Sequence, residues 1–205
     1  MKYIHLILIF VSLFLFACAK EGDLTLVNRT NHNIYYTIQN RDYTLTANQT
    51  AKHTFSVGNE TLFKTAEKEI PIKIEGETFI LLDEDIETNE TSVNIKGDEN
   101  LKVFLYPTHA GLKIVNHSNK IFRNLIYKQH FVSHTHSSDD LLHFEELNPQ
   151  DSLWVRIPYS FLNPDNPYYF YYTFEVRDTD GFIHTFGDST TVLDKDIQYR
   201  IELTD

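Results

Sequence analysis

The nonapeptide DLTLVNRTN, residues 23–31, returns as GLKIVNHSN at residues 111–119. In both copies apolar residues alternate with other residues before an asparagine, which is the pattern of a strand with one buried face. Positions 23 and 111 are 88 residues apart, a period too long for a solenoid repeat and close to the size of one β-sandwich domain. The repeat therefore predicts two tandem domains of the same architecture.

Further segments of the two halves correspond in the same order. Thr, Ile, Val, Tyr and Phe dominate these segments, as half-buried strands prefer, and no long segment has helical spacing of apolar residues. The sequence predicts an all-β chain with two antiparallel β-sandwich domains, at residues 23–107 and 108–205. The corresponding strand-like runs are 34–38 and 121–127, 54–57 and 153–157, 70–74 and 169–176, 92–95 and 191–193, and 101–106 and 198–203.

The asparagine that ends each copy of the nonapeptide has a structural explanation. Asn28 is followed two residues later by Thr30, and Asn116 by Ser118. Such side chains hydrogen-bond nearby backbone groups in tight connections. We expect both pairs to hold the chain where it leaves the first strand of each domain.

The first residues of the chain form an apolar segment that is too short to span a bilayer. Residues 4–16 are apolar apart from His5 and Ser12, whereas a membrane-spanning helix needs about 20 residues. A signal peptide over residues 1–17 fits this length better.

The tetrad Leu15-Phe16-Ala17-Cys18 ends this segment and contains the only cysteine of the chain. It resembles the lipobox of bacterial lipoproteins, although a small residue is commoner than phenylalanine at position 16. The resemblance implies cleavage before Cys18, a diacylglyceryl thioether on its sulfur and an acyl chain, such as palmitate, on its amino group. This covalent lipid is the only cofactor expected, and two or more acyl chains hold a soluble domain stably on a membrane.

Residues 18–22 are then expected to form a lipidated polar tether. The run Ala19-Lys20-Glu21-Gly22-Asp23 loosely resembles the export signal of Bacteroidota-type lipoproteins on the outer face of the outer membrane. Ig-like or transthyretin-like sandwiches are common in such surface lipoproteins. The resemblance implies a protein of the cell envelope, anchored in the outer membrane. If the run is an export signal, the protein is exposed at the surface; the alternative is a solvated tether without such a signal, which leaves the periplasmic face open.

The charge of the chain excludes one class of partner. Residues 1–17 contain one charged residue, Lys2, so the remainder carries 17 Lys and Arg against 29 Asp and Glu, a net charge of −12. Nucleic acids and anionic membrane surfaces attract basic patches. We therefore expect no nucleic-acid partner, and contact with a membrane only through the lipid.

The second half contains an insertion at residues 129–144 that the first half lacks. It holds four histidines together with Asp139 and Asp140, and imidazoles with nearby carboxylates are ligands for zinc or copper. The alternative is a solvated loop that binds nothing. The candidate metal ligands are His130, His134, His136 and His143.

An aromatic run near the end of the chain predicts a second candidate site. In residues 168–174 strict alternation assigns Tyr172 to the core and Tyr169 and Tyr171 to the opposite face. Trp154 and Arg156 alternate with core residues in the same way. If the two strands are neighbours, these four side chains form a ledge for a glycan or a protein; the alternative is that the insertion or the first domain covers them.

No catalytic motif is present. The sequence has no Gly-x-Ser-x-Gly, no phosphate-cradling glycine loop and no available Cys/His pair, and residues 178–181 favour a hairpin turn over a calcium loop. The sequence therefore predicts a non-enzymatic envelope protein that binds a protein or glycan through its second domain. The alternatives are a structural or accessory subunit of an outer-membrane complex and a metal-capture protein.

Overall fold

The computed structural model describes residues 19–59, 65–84, 86–132, 137–142, 146–160 and 170–205, with the backbone alone for 137–142. Every regular element in these ranges is a β-strand, which confirms the all-β prediction. Within the same ranges, no helix combines the length and the hydropathy that crossing a membrane requires.

The chain divides into two compact units. The first contains residues up to Arg29, Tyr35–Ile74 and Leu81–Leu105. The second contains Tyr106–Asp205 together with two earlier segments, Thr30–Ile34 and Glu75–Ile80. The domain boundaries expected from the sequence, at 107 and 108, stay a prediction, and they do not include the two early segments in the second unit.

Strands of the first unit form two main sheets, one of three strands in the order β4-β1-β9 and one of four in the order β3-β2-β5-β8, with a separate β6-β7 pair. The strands are β1 (Ala19–Asn28), β2 (Ile34–Ile38), β3 (Arg41–Leu45), β4 (Thr50–Asn59), β5 (Glu67–Gly76), β6 (Leu81–Asp83), β7 (Ile86–Thr88), β8 (Glu90–Lys96) and β9 (Asn100–Leu105).

Strand β1 begins earlier than the sequence predicts. Residues 19–22 were expected in a polar tether, whereas Ala19 pairs with Asn59 and Lys20 with Gly58 in β4. Because the main chain of these residues already belongs to a ladder, the sheet includes the residue directly after Cys18. Cys18 itself and the expected signal peptide lie outside the described residues.

Strands of the second unit repeat this arrangement, with one three-stranded sheet in the order β13-β10-β16 and one four-stranded sheet in the order β12-β11-β14-β15. They are β10 (Ala110–Asn116), β11 (Phe122–Phe131), β12 (Ser137–Leu142), β13 (Ser152–Ile157), β14 (Phe170–Asp178), β15 (Ile183–Phe186) and β16 (Gln198–Leu203).

Strand pairing confirms the internal repeat. In the first unit β1 runs antiparallel to β4 and parallel to β9. In the second unit β10 runs antiparallel to β13 and parallel to β16. The two copies of the nonapeptide are thus the central strands of two equivalent sheets.

The core of the second unit joins both of its sheets. Leu112 and Ile114 of β10 pack in one cluster with Leu125 of β11 and with Tyr172 and Phe174 of β14, all fully buried. Burying each such side chain stabilises the fold by about 1.5–3 kcal/mol. Tyr172 also donates a hydrogen bond from its hydroxyl to the carbonyl of Pro158, at 2.7 Å, as a buried phenol requires.

Both asparagines of the repeat are completely buried and bond the backbone, mostly at residues farther along the chain than the tight connection that the sequence predicted. The Asn28 amide donates to the carbonyls of Leu45 and Thr46, each at 3.1 Å. The Asn116 amide donates to the carbonyls of Lys120, at 2.7 Å, and Leu147, at 3.1 Å. Each asparagine therefore ties the end of a central strand to the segment that leads into the antiparallel neighbour.

The insertion at 129–144 is largely a hairpin rather than a loop. Strand β11 continues to Phe131, and β12 pairs with it from Ser137 opposite His130 to Leu142 opposite Leu125. One expected strand is absent, since residues 191–193 have no regular structure.

Candidate ligand-binding face

One outward surface of the second unit collects aromatic, charged and apolar side chains. In β14 Tyr171, Thr173 and Glu175 are half-buried and alternate with the buried core residues, so they face away from the core. Residues of β11 lie opposite them in register. We call this surface the β11–β14 face, and it comprises Ile126, Lys128, His130, Tyr171, Thr173, Glu175 and Arg177.

An aromatic pair forms one end of this face. His130 lies opposite Tyr171 in the ladder, and their rings stack with centroids 4.7 Å apart and planes 13° from parallel. The His130 Nε2 atom and the Thr173 hydroxyl are 2.8 Å apart and share a hydrogen bond. The stack and this bond hold two flat rings in fixed positions, which is how aromatic groups contact ligands at low entropic cost.

An ion pair occupies the middle of the face. The Lys128 ammonium donates to Oε1 of Glu175 at 2.8 Å, and both side chains are more than two-thirds buried. Because water screens such a pair less than an exposed one, its geometry is better defined. It separates the aromatic pair from the groove described next.

A β-bulge shapes the other end. The register shifts between Arg123 and Leu125, and Asn124 between them has a φ of 58°, a left-handed conformation that asparagine tolerates. Beside the bulge is an open groove of about 240 Å³, lined by Asn124, Ile126, Glu175, Val176, Arg177 and Ile183. The bulge thus opens a depression on an otherwise flat sheet.

The border of this groove is apolar and cationic. Ile183 is 53% exposed and its neighbour Phe182 66% exposed. Arg177 is exposed, and within the described ranges no hydrogen bond or ion pair engages its guanidinium. A ligand with an apolar group and a carboxylate finds both counterparts here.

Trp154 and Arg156 lie on the other sheet. The predicted ledge required β13 and β14 to be neighbours, but β13 belongs to the three-stranded sheet and β14 to the four-stranded sheet. Trp154 and Tyr171 therefore do not lie side by side, and the single ledge is not formed. Tyr169 lies outside the described residues. Ligand binding by each of these residues stays a prediction.

Arg156 has structural partners within the second unit. Its guanidinium carbon lies 5.3 Å from the centre of the Trp154 ring. Its Nη1 donates to Oε2 of Glu75 and to the carbonyl of Gly76, each at 3.2 Å, while its buried Nε has no partner among the described residues. These contacts hold the segment Glu75–Ile80 on the outer surface of the three-stranded sheet.

Glu77 fixes the same segment from the middle. The residue is 2% exposed, and its carboxylate accepts from Lys113 Nζ at 3.3 Å and from Gln198 Nε2 at 2.8 Å. Gly111 lies below it, where an added Cβ would be 3.1 Å from the Glu77 carbonyl oxygen. No sequence pattern marks these contacts, because the partners of Glu77 are 36 and 121 positions away.

His130 is the one candidate metal ligand within the described residues, and its ring is engaged by Tyr171 and Thr173. His134, His136 and His143 lie outside them, so a metal site in this hairpin stays a prediction. Among the described residues there is no group of three or more His, Cys, Asp or Glu side chains arranged to hold a metal ion.

Residues 178–181 form the expected turn between β14 and β15. Burial of Asp178 disfavours ionisation, but hydrogen bonds from Lys120, His184 and the Phe182 amide outweigh it and lower the pKa of the carboxyl to about 2. The Lys120 ammonium lies 3.1 Å from Asp178 and 3.2 Å from Asp180. A lysine thus lies between the two carboxylates and offsets one of their two negative charges.

No family model matches this sequence, and neither does any curated protein. Solved structures give similarity over most of the chain. The Bacillus anthracis TIE protein is 11% identical with a TM-score of 0.28, and the match covers 91% of this chain and 34% of that one. An adhesin structure from Bacteroides ovatus is 9% identical with a TM-score of 0.30, covering 91% of this chain and 88% of that one.

The tip fimbrial protein Mfa3 from Porphyromonas gingivalis is 10% identical with a TM-score of 0.26, covering 82% of this chain and 81% of that one. This chain spans about a third of the length of the TIE protein and most of the length of the other two. At these TM-scores the function of the chain has to be inferred from its own residues.

Proposed function

We propose that this chain is a non-enzymatic, lipid-anchored protein of the bacterial cell envelope whose second unit binds a partner through the β11–β14 face. The observation that carries the proposal is the composition of that face: a stacked aromatic pair, an ion pair and an apolar groove beside an exposed arginine. The outer surface of the opposite sheet carries Glu75–Ile80 instead, which covers part of it.

The anchor is the covalent lipid on Cys18, in the outer membrane and on its outer side. The lipobox-like tetrad at 15–18 and the absence of any second cysteine support this assignment. Loss of palmitate incorporation in a Cys18→Ser variant tests it. Continued incorporation in that variant would contradict it.

A protein partner fits the face better than a glycan. Tyrosine and arginine are enriched in protein interfaces, and exposed branched apolar side chains such as Ile183 bind other apolar groups rather than sugar hydroxyls. An acidic side chain of the partner would pair with Arg177 while an apolar neighbour fills the groove. A glycan is the other outcome of the experiment below.

The experiment measures partner binding by two variants of the β11–β14 face and by a control variant of the first unit. Purified mature protein is used to capture partners from envelope extracts and is screened in parallel on a glycan array. Arg177→Glu and Tyr171→Ala should each weaken binding by about tenfold or more, since central interface residues contribute about 2 kcal/mol. Lys102→Glu is the matched control, because Lys102 is an exposed lysine of the first unit.

Each outcome has one meaning. Loss of a captured protein with both variants, and not with Lys102→Glu, supports the proposal. Glycan-array binding that Tyr171→Ala abolishes would identify the ligand as a glycan rather than a protein. A stoichiometric partner that all three variants retain would instead favour a structural subunit of an outer-membrane complex. Unfolding followed by the fluorescence of Trp154, the only tryptophan, verifies that the second unit remains folded.

A further inference from the structure

The chain has no free length between Cys18 and the first sandwich. Ala19 and Lys20 pair with Asn59 and Gly58, the last residues of β4. Consecutive Cα atoms are 3.8 Å apart. The sheet therefore begins one residue after the position that would carry the lipid.

Contacts with a neighbouring turn fix these first residues. The Asp98 amide donates to the Glu21 carbonyl at 2.7 Å, and the Asp23 amide to the Glu99 carbonyl at 2.8 Å. The Lys20 ammonium also pairs with the Asp98 carboxylate. Side-chain and main-chain bonds thus hold β1 against the turn Gly97–Glu99 from its second residue onward.

Close packing at Gly22 also fixes the position of the first residues of β1. A Cβ built on Gly22 would lie 2.5 Å from Cγ2 of Ile95 and 2.5 Å from the carbonyl oxygen of Lys96. Real Cβ atoms do not approach so closely, so the strand fits here only because this residue is glycine. The beginning of β1 is a packed part of the sandwich.

We infer that one end of the first unit rests directly on the phospholipid headgroup layer, without a tether. We call this surface the anchor end, and it consists of Ala19–Glu21, Gly58–Asn59 and Gly97–Glu99. The inference rests on the proposed lipid on Cys18. A strand rises about 3.3 Å per residue and the headgroup layer is about 5–8 Å thick, so residues within three positions of Cys18 lie at its surface.

Charges near the anchor end are almost balanced. Lys20, Lys68 and Lys96 lie on the first residues of β1 and β5 and the last residue of β8, and Glu67 pairs with Lys96 in register. Lys68 and Lys96 are exposed. The same region also carries Glu21, Glu67, Asp98 and Glu99, and Lys20 pairs with Asp98. The three lysines therefore offset most of its negative charge, which limits repulsion by headgroup phosphates.

Fluorescence quenching measures the distance to the membrane. The full lipidated protein is reconstituted into vesicles of phosphatidylethanolamine and phosphatidylglycerol that contain a nitroxide-headgroup lipid. A fluorophore is attached to Asn59→Cys or to Thr50→Cys, two exposed positions at opposite ends of β4. They are nine residues apart, so about 30 Å separates them, and quenching at 59 should exceed that at 50 by about threefold or more.

An insertion removes the inferred constraint. Eight Gly and Ser residues between Cys18 and Ala19 should reduce the difference between the two labels, because a flexible linker lets the unit leave the surface. Equal quenching of both labels on the uninserted, vesicle-bound protein would overturn the inference while leaving the anchor intact. Failure of the protein to bind vesicles would overturn both.

Discussion

The two halves share the same sheet order, and one hairpin differs between them in length. In the first unit β2 and β3 have five residues each, joined by a two-residue turn whose members, Gln39 and Asn40, both have positive φ. In the second unit the equivalent β11 has ten residues and β12 six. The insertion that distinguishes the halves thus lengthens a hairpin already present in the repeat, and the β6-β7 pair of the first unit is a second difference among the described residues.

The same difference appears on the outward side of the next strand. In β5 the outward residues Glu69, Pro71 and Lys73 are exposed. In β14 the outward residues Tyr171, Thr173 and Glu175 are half-buried and contact side chains of the longer β11. An elongated hairpin therefore converts a solvated sheet face into a structured one, which is why we expect binding on the second unit.

The largest expected effect tests the shared frame. Asn28→Asp and Asn116→Asp should each reduce the free energy of unfolding by about 3 kcal/mol or more, because a buried carboxylate replaces an amide that donates two hydrogen bonds. Urea unfolding followed by circular dichroism measures both variants, and Trp154 fluorescence reports the second unit.

Asn94→Asp is the control for this pair, since Asn94 is an exposed strand residue. It should change the free energy of unfolding by less than about 0.5 kcal/mol. A loss near 3 kcal/mol for one repeat asparagine together with a loss below 1 kcal/mol for the other would break the equivalence of the halves.

The alternation of apolar residues and the internal repeat predicted the central strands and their buried faces. The alternation around Tyr172 correctly assigned it to the core and Tyr171 to the outside, because side-chain direction in a strand depends only on position. Of the two asparagines, Asn116 bonds nearby backbone at Lys120 as expected, whereas the Asn28 amide reaches Leu45 and Thr46, 17 and 18 positions away. The repeat located equivalent strands without any knowledge of their partners.

Pairing between distant segments was not predictable in the same way. The hairpin at Gln39–Asn40 lacks the glycine that usually marks such turns, so β3 was missed. The ledge of Trp154 and Tyr171 failed because sequence does not say which sheet a strand joins. Coverage of the three-stranded sheet by Glu77 depends on Lys113 and Gln198, far along the chain.

The second largest expected effect concerns one position at which the two central strands carry different residues. Gly22 in the first nonapeptide region corresponds to Ala110 in the second, which is buried with its methyl group. Gly22→Ala should cost about 1–3 kcal/mol, because the new Cβ would overlap Ile95 and Lys96. Ala110→Gly should cost about 1 kcal/mol through lost contacts and added chain entropy.

Denaturation of these two variants in urea gives both values. The expected order is a larger loss for Gly22→Ala. Were Gly22→Ala neutral, the close packing behind β1 would be absent and the two positions would be interchangeable.

Acid should destabilise the two units over different pH ranges. Burial lowers the pKa of His53 in the first unit below 6.5, so the unfolded chain binds this proton more readily and stability falls as the pH drops below about 6.5. The pKa of Asp178 in the second unit is about 2, against 3.8 when unfolded, so its contribution is present above pH 3.8 and is lost as the pH falls towards 2.

Hydrogen exchange of peptides from β4 and β14 resolves the two responses. Exchange in β4 should accelerate between pH 6.5 and 5 after correction for the intrinsic rate, and His53→Gln should remove that acceleration. In β14 the change should come below pH 4 and disappear in Asp178→Asn. Persistence of the β4 response in His53→Gln would assign it to another group.

The smallest effect compares two ion pairs on the outward sides of the four-stranded sheets. Lys128–Glu175 in the second unit joins its atoms at 2.8 Å with side chains 29% and 26% exposed. Lys73–Glu90 in the first unit has a similar distance, 2.7 Å, but each side chain is 64% exposed.

Double-mutant cycles to alanine should give a coupling free energy of about 1 kcal/mol for the half-buried pair and a smaller one for the exposed pair. Raising NaCl from 0.05 to 0.5 M should weaken the exposed pair more, because the screening length shortens while the half-buried pair stays shielded from counterions. Equal couplings with equal salt dependence would mean that the longer hairpin does not order the side chains of the β11–β14 face, and the structural distinction between the two outward faces would then lose its energetic basis.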